Sequence, residues 1–282
     1  MSAAAVNQVR PRLAAGEVIP YLGPGVVALA EAESPLPGSA GDLVAALAAK
    51  LPVPGRLRRN LGAAAQYIEN FRHRKALQAA MRDLFAAQPA PATALHRWLA
   101  GLASLPLVVE LWYHDAMGAA LQSRRDWGRV QGASGAEHRH GWFRWFASDG
   151  AERDEADAAG WRTLLYQPWG SVRPDAGFLV SDSDFVEVLT QIDIQTPIPP
   201  RVQALRRGRG FLFLGCRFDT QLDRTYARQI MKRSGSRHWA VLEGSLSRNE
   251  KRFLEEQSIE RLDLPLAEAA RELCGEREAV AG

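Results

Sequence analysis

The chain alternates short apolar runs with stretches of helical periodicity. Val18-Ile-Pro-Tyr-Leu22 is an apolar run broken at once by Gly23-Pro-Gly25 and resumed from Val26 to Ala30, which predicts strand, tight turn and helix start. After the Pro/Gly-rich stretch Ser34 to Gly41, Asp42 is placed to cap a helix reaching about Leu51. Tyr67, Phe71, Leu77, Met81 and Leu84 or Phe85 recur at helical spacing over residues 61–86, and a second helix runs from Thr93 to Leu102. Leu105 to Leu111 predicts a buried strand and Asp115 to Ser123 a helix. Residues 124–160 lose periodicity and gain charges, glycines and aromatics, which predicts an excursion from the main sheet. Strand patterns resume at Thr163 to Gln167 and Phe178 to Val180, followed by a helix from Asp182 through Gln191. Phe211-Leu-Phe-Leu214 then leads into an amphipathic helix from Thr220 to Lys232, the strands His238 to Glu243 and Ile259 to Leu264, and a closing helix from Leu266 to Leu273.

Alternating strands and helices predict an α/β fold with a Rossmann-like, mainly parallel sheet covered by helices on both faces. One domain over residues 1–282 is expected, with a smaller, mostly helical subdomain from about 55–100 and 124–160.

Composition narrows the function classes. Apolar residues are 46% and charged residues 24%, enough for a sizeable core. The 35 basic and 32 acidic residues leave a net charge of only +3, which argues against a nucleic-acid surface. Cys216 and Cys274 stand far apart without C-x-x-C spacing, so neither a structural zinc of the usual kind nor a disulfide framework is expected. With no signal-peptide run and no apolar stretch of spanning length, the expected location is cytoplasmic.

Gly23-Pro24-Gly25 after a strand is the most informative local feature. Glycines let backbone approach a pyrophosphate, and a following helix offers free N–H groups and its positive end. Plain strand-to-helix turns use glycine as well, so the tripeptide leaves both readings open.

The order of the remaining segments adds to this. Ile19-Pro-Tyr-Leu-Gly-Pro-Gly-Val26 resembles the cofactor loop that opens sirtuin-like domains, where strand, Gly-Ala-Gly and helix cradle NAD. Val108-Val-Glu-Leu-Trp-Tyr-His-Asp-Ala-Met117 is similar to the family's strand followed by Thr-Thr-Asn-Tyr-Asp. Leu165-Tyr-Gln-Pro-Trp-Gly-Ser171 resembles its segment ending in His-Gly-Ser, and Phe178 to Leu189 the strand and helix after it. Phe213-Leu-Gly-Cys-Arg-Phe-Asp219 resembles its Gly-Tyr-Ser-x-x-Asp loop, one residue shorter, and His238 to Glu243 the strand whose end meets the adenosine ribose. The resemblance implies a dinucleotide held by Gly23, Pro24, Gly25, Val26, Gly215, Arg217 and Glu243, with Arg217 at a pyrophosphate and Glu243 at a ribose. Arg217 could instead pair with Asp219, which also suits a cap for the helix near Thr220. Cys216 reads as a small buried hydrophobe.

The departures from the family decide the chemistry. Its ribose-holding asparagine is Trp112 here and its general-base histidine is Trp169. An indole donates one N–H and accepts no proton, so base chemistry is lost there, and NAD-dependent deacylation or NAD cleavage is not expected. The family's zinc cysteines are missing too. Two tryptophans suit stacking on a flat ligand, or else they plug a dead pocket.

The losses are similar to those of a flavocytochrome group within the sirtuin-like proteins, associated with iron-only nitrogenase in nitrogen-fixing bacteria. That resemblance implies FAD in the cleft, haem b beside it, and a homodimer. Electrons would pass from ferredoxin or flavodoxin through both cofactors to oxygen, with Trp112 and Trp169 lining the flavin–haem contact. A haem requires an axial ligand. His73 lies between arginines in Asn70-Phe-Arg-His-Arg-Lys75. His140 lies with His138 in Glu137-His-Arg-His-Gly-Trp-Phe-Arg-Trp-Phe146, and His114 stands where the family has a pocket acid. Each has a purely structural alternative, as surface or core histidine. The competing reading is a sirtuin-like module that binds NAD or a related nucleotide without cleaving it.

Overall fold

The structure, a computed structural model, describes residues 2–30, 34–86, 91–134, 141–194 and 198–275. Helix α1 (Ser2–Ala14) leads into β1 (Val18–Leu22), and α2 (Ala40–Lys50), α3 (Leu61–Ala86) and α4 (Ala94–Gly101) follow. Next come β2 (Leu107–Glu110), α5 (Ala116–Leu121), β3 (Trp127–Gly132), β4 (Phe143–Ala147), β5 (Glu152–Arg153) and β6 (Thr163–Gln167). The short β7 (Gly170–Ser171) and β8 (Gly177–Phe178) pair with each other. The chain then runs through α6 (Asp182–Ile194), α7 (Pro200–Leu205), β9 (Gly210–Leu214), α8 (Gln221–Met231), β10 (His238–Val241), α9 (Arg248–Glu256), β11 (Ile259–Leu262) and α10 (Leu266–Cys274).

The main sheet has nine strands in the order β11-β10-β9-β1-β2-β6-β3-β4-β5. All neighbours from β11 to β3 are parallel, and β4 and β5 add antiparallel edges. Continuous apolar runs serve such strands because both faces are covered. Side chains alternate between two cores. Ile19, Tyr21, Val109, Phe211 and Phe213 join the core that includes residues of α2, α3, α6, α8 and α9. Val18, Leu22, Val108, Leu212 and Leu214 join the core that includes residues of α1, α4, α5 and α10. Pro20, an unusual residue for a central strand, lies before the point where β2 begins to pair at Tyr21.

Several local expectations change. After Gly23 comes a six-residue 3-10 turn, Pro24–Leu29, in place of the start of an α-helix. Such a turn has little of the aligned dipole that an α-helix would aim at a phosphate. Ser39, not Asp42, caps α2: its hydroxyl oxygen accepts the Asp42 amide at 3.1 Å. Thr220 likewise caps α8 by accepting the Asp223 amide at 3.1 Å, while Asp219 accepts the Thr220 amide. Within residues 124–160, β3, β4 and β5 join the sheet instead of leaving it, because β3 pairs along its length with β6 and carries β4 on its other side. Alternation is obscured there because β3 is buried on both faces yet contains Arg129 and Gln131. Phe178 to Val180 forms no strand of the main sheet; only Gly177–Phe178 pairs, with β7. Among the described residues no helix is long and apolar enough to cross a membrane.

Candidate functional site

The chain leaves β1 toward β2, β6 and β3 on one side, then returns to place β9, β10 and β11 on the other. The carboxyl ends of β1 and β9 therefore flank the topological switch point, where open α/β sheets bind their ligands. Gly23, Pro24, Gly25 and Val26 follow β1 there, and Gly215, Cys216 and Arg217 follow β9.

These two loops touch backbone to backbone. The Gly23 amide donates to the Leu214 carbonyl and the Gly25 amide to the Gly215 carbonyl, both at 2.9 Å. A Cβ on Gly23 would meet the Gly215 oxygen at 2.5 Å and Cys216 Sγ at 2.7 Å. Gly215 has φ +65, and a Cβ there would meet the Val26 nitrogen at 2.6 Å. The glycines are thus required by the approach of one loop to the other. Pro24 has no amide hydrogen, and the Val26 amide donates to the Gly23 carbonyl at 3.3 Å. A phosphate at this loop must compete with carbonyls already bonded to these donors.

Arg217 is engaged as well. Its guanidinium donates to the Glu243 and Ser245 carbonyls and meets Glu250 at 3.1 Å, bracing the loop between β10 and α9. Burial raises the Glu250 carboxyl, but hydrogen bonds from Ser247 and the Arg217 charge outweigh it and hold the group below its ordinary range. Glu243 takes part through its backbone and is exposed.

Trp112 and Trp169 come together with ring centroids 6.5 Å apart. Tyr113, Phe185 and Tyr226 surround Trp169 at centroid distances of 6.2, 5.5 and 5.7 Å. Both indoles are buried, at 1% and 4% exposure, so they form part of the core. The Trp112 indole N–H donates to the Pro37 carbonyl at 2.7 Å, tying the Pro-rich strap after the first loop to the end of β2.

On the opposite face of the sheet lies a polar network that no sequence motif marks. Glu110, fully buried at the end of β2, accepts the Met117 amide at 3.1 Å and the Gln167 side-chain amide at 2.9 Å. His114 Nδ1 lies 3.4 Å from Glu110 and His96 Nε2 4.0 Å from it. Burial raises the Glu110 carboxyl, yet the His114 hydrogen bond and charge, with His96 and Gln167, bring it below its ordinary value. Gln131 joins Gln167 and also donates to the Arg173 carbonyl, which accepts from Arg129 too. Arg129 pairs with Asp115 at 2.6 Å, but burial still pushes the Asp115 carboxyl up to about 6. The sequence does carry a signal for this network, since Glu110, Arg129, Gln131 and Gln167 are polar residues inside or ending apolar strands.

Of the candidate metal ligands, His73 and His114 lie among the described residues. His73 is exposed and interrupts α3 at φ 67, ψ 153, a backbone region rare for anything but glycine. His114 is sealed inside with 1% exposure, and His140 with its neighbour His138 lies outside the described residues. Among the described residues, no group of three or more His, Cys, Asp or Glu side chains is arranged to hold a metal ion.

A model of the SIR2-like domain matches residues 106–262. The chain belongs to the SIR2-like family. The match spans β2 through β11, so it contains the aromatic pair, the Glu110 network apart from His96, and the Gly215 side of the switch point. The first loop, Gly23 to Val26, precedes the matched segment and reaches the SIR2-like core through its contacts with Leu214 and Gly215. No curated protein matches the chain.

Proposed function

We propose that this SIR2-like chain is a nucleotide-binding module that does not cleave its ligand. The observation that carries the reading is the switch point, where the Gly23–Val26 loop and Gly215 converge at the carboxyl ends of adjacent strands. Loss of hydrolysis follows from Trp169, whose indole accepts no proton and packs among Tyr113, Phe185 and Tyr226. A ligand's phosphates would exchange for the Leu214 and Gly215 carbonyls at the Gly23 and Gly25 amides, so binding would part the two loops.

Thermal unfolding with NAD, ADP-ribose and FAD, followed by chromatography of the nucleotide, tests this reading. A saturable rise in Tm with at least one nucleotide and no nicotinamide release is expected; a ligand at 100-fold its Kd adds about 2.7 kcal/mol. No shift with any of them, or release of nicotinamide, overturns it.

The FAD–haem oxidase implied by the sequence resemblance differs in colour. In this arrangement Trp112 and Trp169 pack as buried core, and of the haem-ligand candidates His114 is sealed inside, His73 lies on the surface and His140 lies outside the described residues. Trp112, Trp169 and His114, as placed, offer a flavin or haem no open face. A visible spectrum before and after dithionite separates the readings: a Soret band over a bleachable flavin shoulder supports the oxidase, whose ferredoxin or flavodoxin donor and homodimer would need reduction kinetics and a mass measurement of their own. A colourless protein supports the module.

A further inference from the structure

The first turn of α4 is closed by a capping box with an unusual member. Thr93 is the N-cap, and its hydroxyl oxygen accepts the His96 amide at 3.4 Å. In return, the Thr93 amide donates to His96 Nδ1 at 3.2 Å, with the Thr93 hydroxyl 2.8 Å from the same nitrogen. Glutamate or glutamine ordinarily fills this third helical position, because their oxygens accept at any pH near neutral. A backbone amide can only donate, so Nδ1 must carry a lone pair, and the ring is the neutral Nε2–H imidazole.

We propose that His96 makes the start of α4 an acid-released latch, in which proton uptake at Nδ1 sets two donors against each other and breaks the cap. A positive ring at a helix N-terminus is also opposed by the helix dipole. The side chain is 1% exposed, so solvation of the imidazolium requires that the turn open. Burial holds His96 down at about 4, with Glu110 acting in the opposite direction and the charges of His114 and Arg97 adding to the lowering.

The groups around the ring are few. Glu110, at the end of β2, has Oε1 4.0 Å from His96 Nε2, beyond hydrogen-bonding reach. His114 presents its ring edge-to-face at 6.3 Å between centroids. Asp115 and Arg129 lie behind them as an ion pair, and Arg97 follows on the same helix. From α5 and α10 the buried residues are apolar, Met117 and Leu121 on one and Ala269, Ala270 and Leu273 on the other. An imidazolium at His96 would therefore find the Glu110 carboxylate already bonded to the Met117 amide, Gln167 and His114. Opening the latch admits water to Glu110 and His114. The latch requires no bound nucleotide.

Hydrogen exchange of the His96 and Arg97 amides, corrected for intrinsic rates, reads the latch in the full chain. Protection should fall by up to about tenfold per pH unit as pH drops from 6.5 toward 4, the limit for uptake of one proton on opening. His96→Gln keeps an acceptor at the third position and has no proton to take up, so its protection should stay level. Glu110→Gln removes the nearest negative partner and should carry the fall on to lower pH than in the wild type, at no more than about tenfold per pH unit. An equal fall in His96→Gln, or level protection in the wild type, overturns the proposal. A long-range 1H–15N spectrum of the wild type supplies a check needing no variant: His96 Nδ1 must be unprotonated at neutral pH, and a protonated Nδ1 also overturns it.

Discussion

Trp112 and Pro37 are joined by a 2.7 Å hydrogen bond between segments 75 positions apart, which binds the strap after the first loop to the end of the neighbouring strand. Trp112→Phe keeps much of the apolar contact and leaves the Pro37 carbonyl without its donor. A buried acceptor left unpaired costs about 1–3 kcal/mol. The urea midpoint should fall accordingly with the slope unchanged, and an unchanged midpoint would mean the strap is held by packing alone.

The contact between the two glycine loops is open to a paired comparison. Gly215 and Gly244 both have positive φ, at +65 and +78, but only at Gly215 does an added Cβ meet neighbouring atoms, the Val26 nitrogen at 2.6 Å among them. Gly244→Ala should cost about 1–2 kcal/mol for the left-handed backbone alone. Gly215→Ala should cost clearly more, because the loops must separate as well. Equal losses in chemical denaturation would show that the loop contact contributes nothing.

Asp115 gives a pH dependence whose sign follows from its raised pKa. The folded state holds the proton more tightly than the unfolded chain, so between the ordinary 3.8 and about 6 the Asp115 contribution to stability declines as pH rises. Asp115→Asn removes that titration at the cost of a pH-independent change in the Arg129 contact. Over this window one pH unit corresponds to about 1.36 kcal/mol for a single proton. The stability of the Asn variant relative to wild type should therefore climb by up to about 3 kcal/mol from about pH 4 to above about pH 6. Denaturation series at several pH values measure it, and a constant difference would show that Asp115 titrates normally. His96 works in the opposite direction over the acid range, so the comparison must be between variants and not with the wild-type curve alone.

Arg217 separates bracing from binding. Its three contacts hold residues 243–250, and at 46% side-chain exposure it is screened by solvent. Arg217→Ala leaves the buried Glu250 carboxylate without its cation, so it should lower the global midpoint and make limited proteolysis between β10 and α9 faster. If that segment stays resistant, the loop is held by its own capping box at Ser247.

Much of the scaffold is legible along the chain. Runs such as Phe211-Leu-Phe-Leu214 and Leu107-Val-Val109 suit strands buried on both faces, and their alternation with amphipathic helices requires a mainly parallel sheet. That Trp169 offers no base is also readable without coordinates, because what an indole can donate or accept does not depend on its surroundings. Tertiary structure alone decided three other matters. Periodicity cannot tell a strand with polar residues from a loop, so β3 emerged only through its pairing with β6 and β4. A glycine records that space is tight and not what fills it, and at Gly23 and Gly25 the neighbour is the Gly215 loop. The assembly of His96, Glu110, His114, Gln167 and Gln131 brings residues from several elements into one polar group. No local pattern encodes that convergence, because burial and partner distance are set by the sheet order, which is a property of the whole chain.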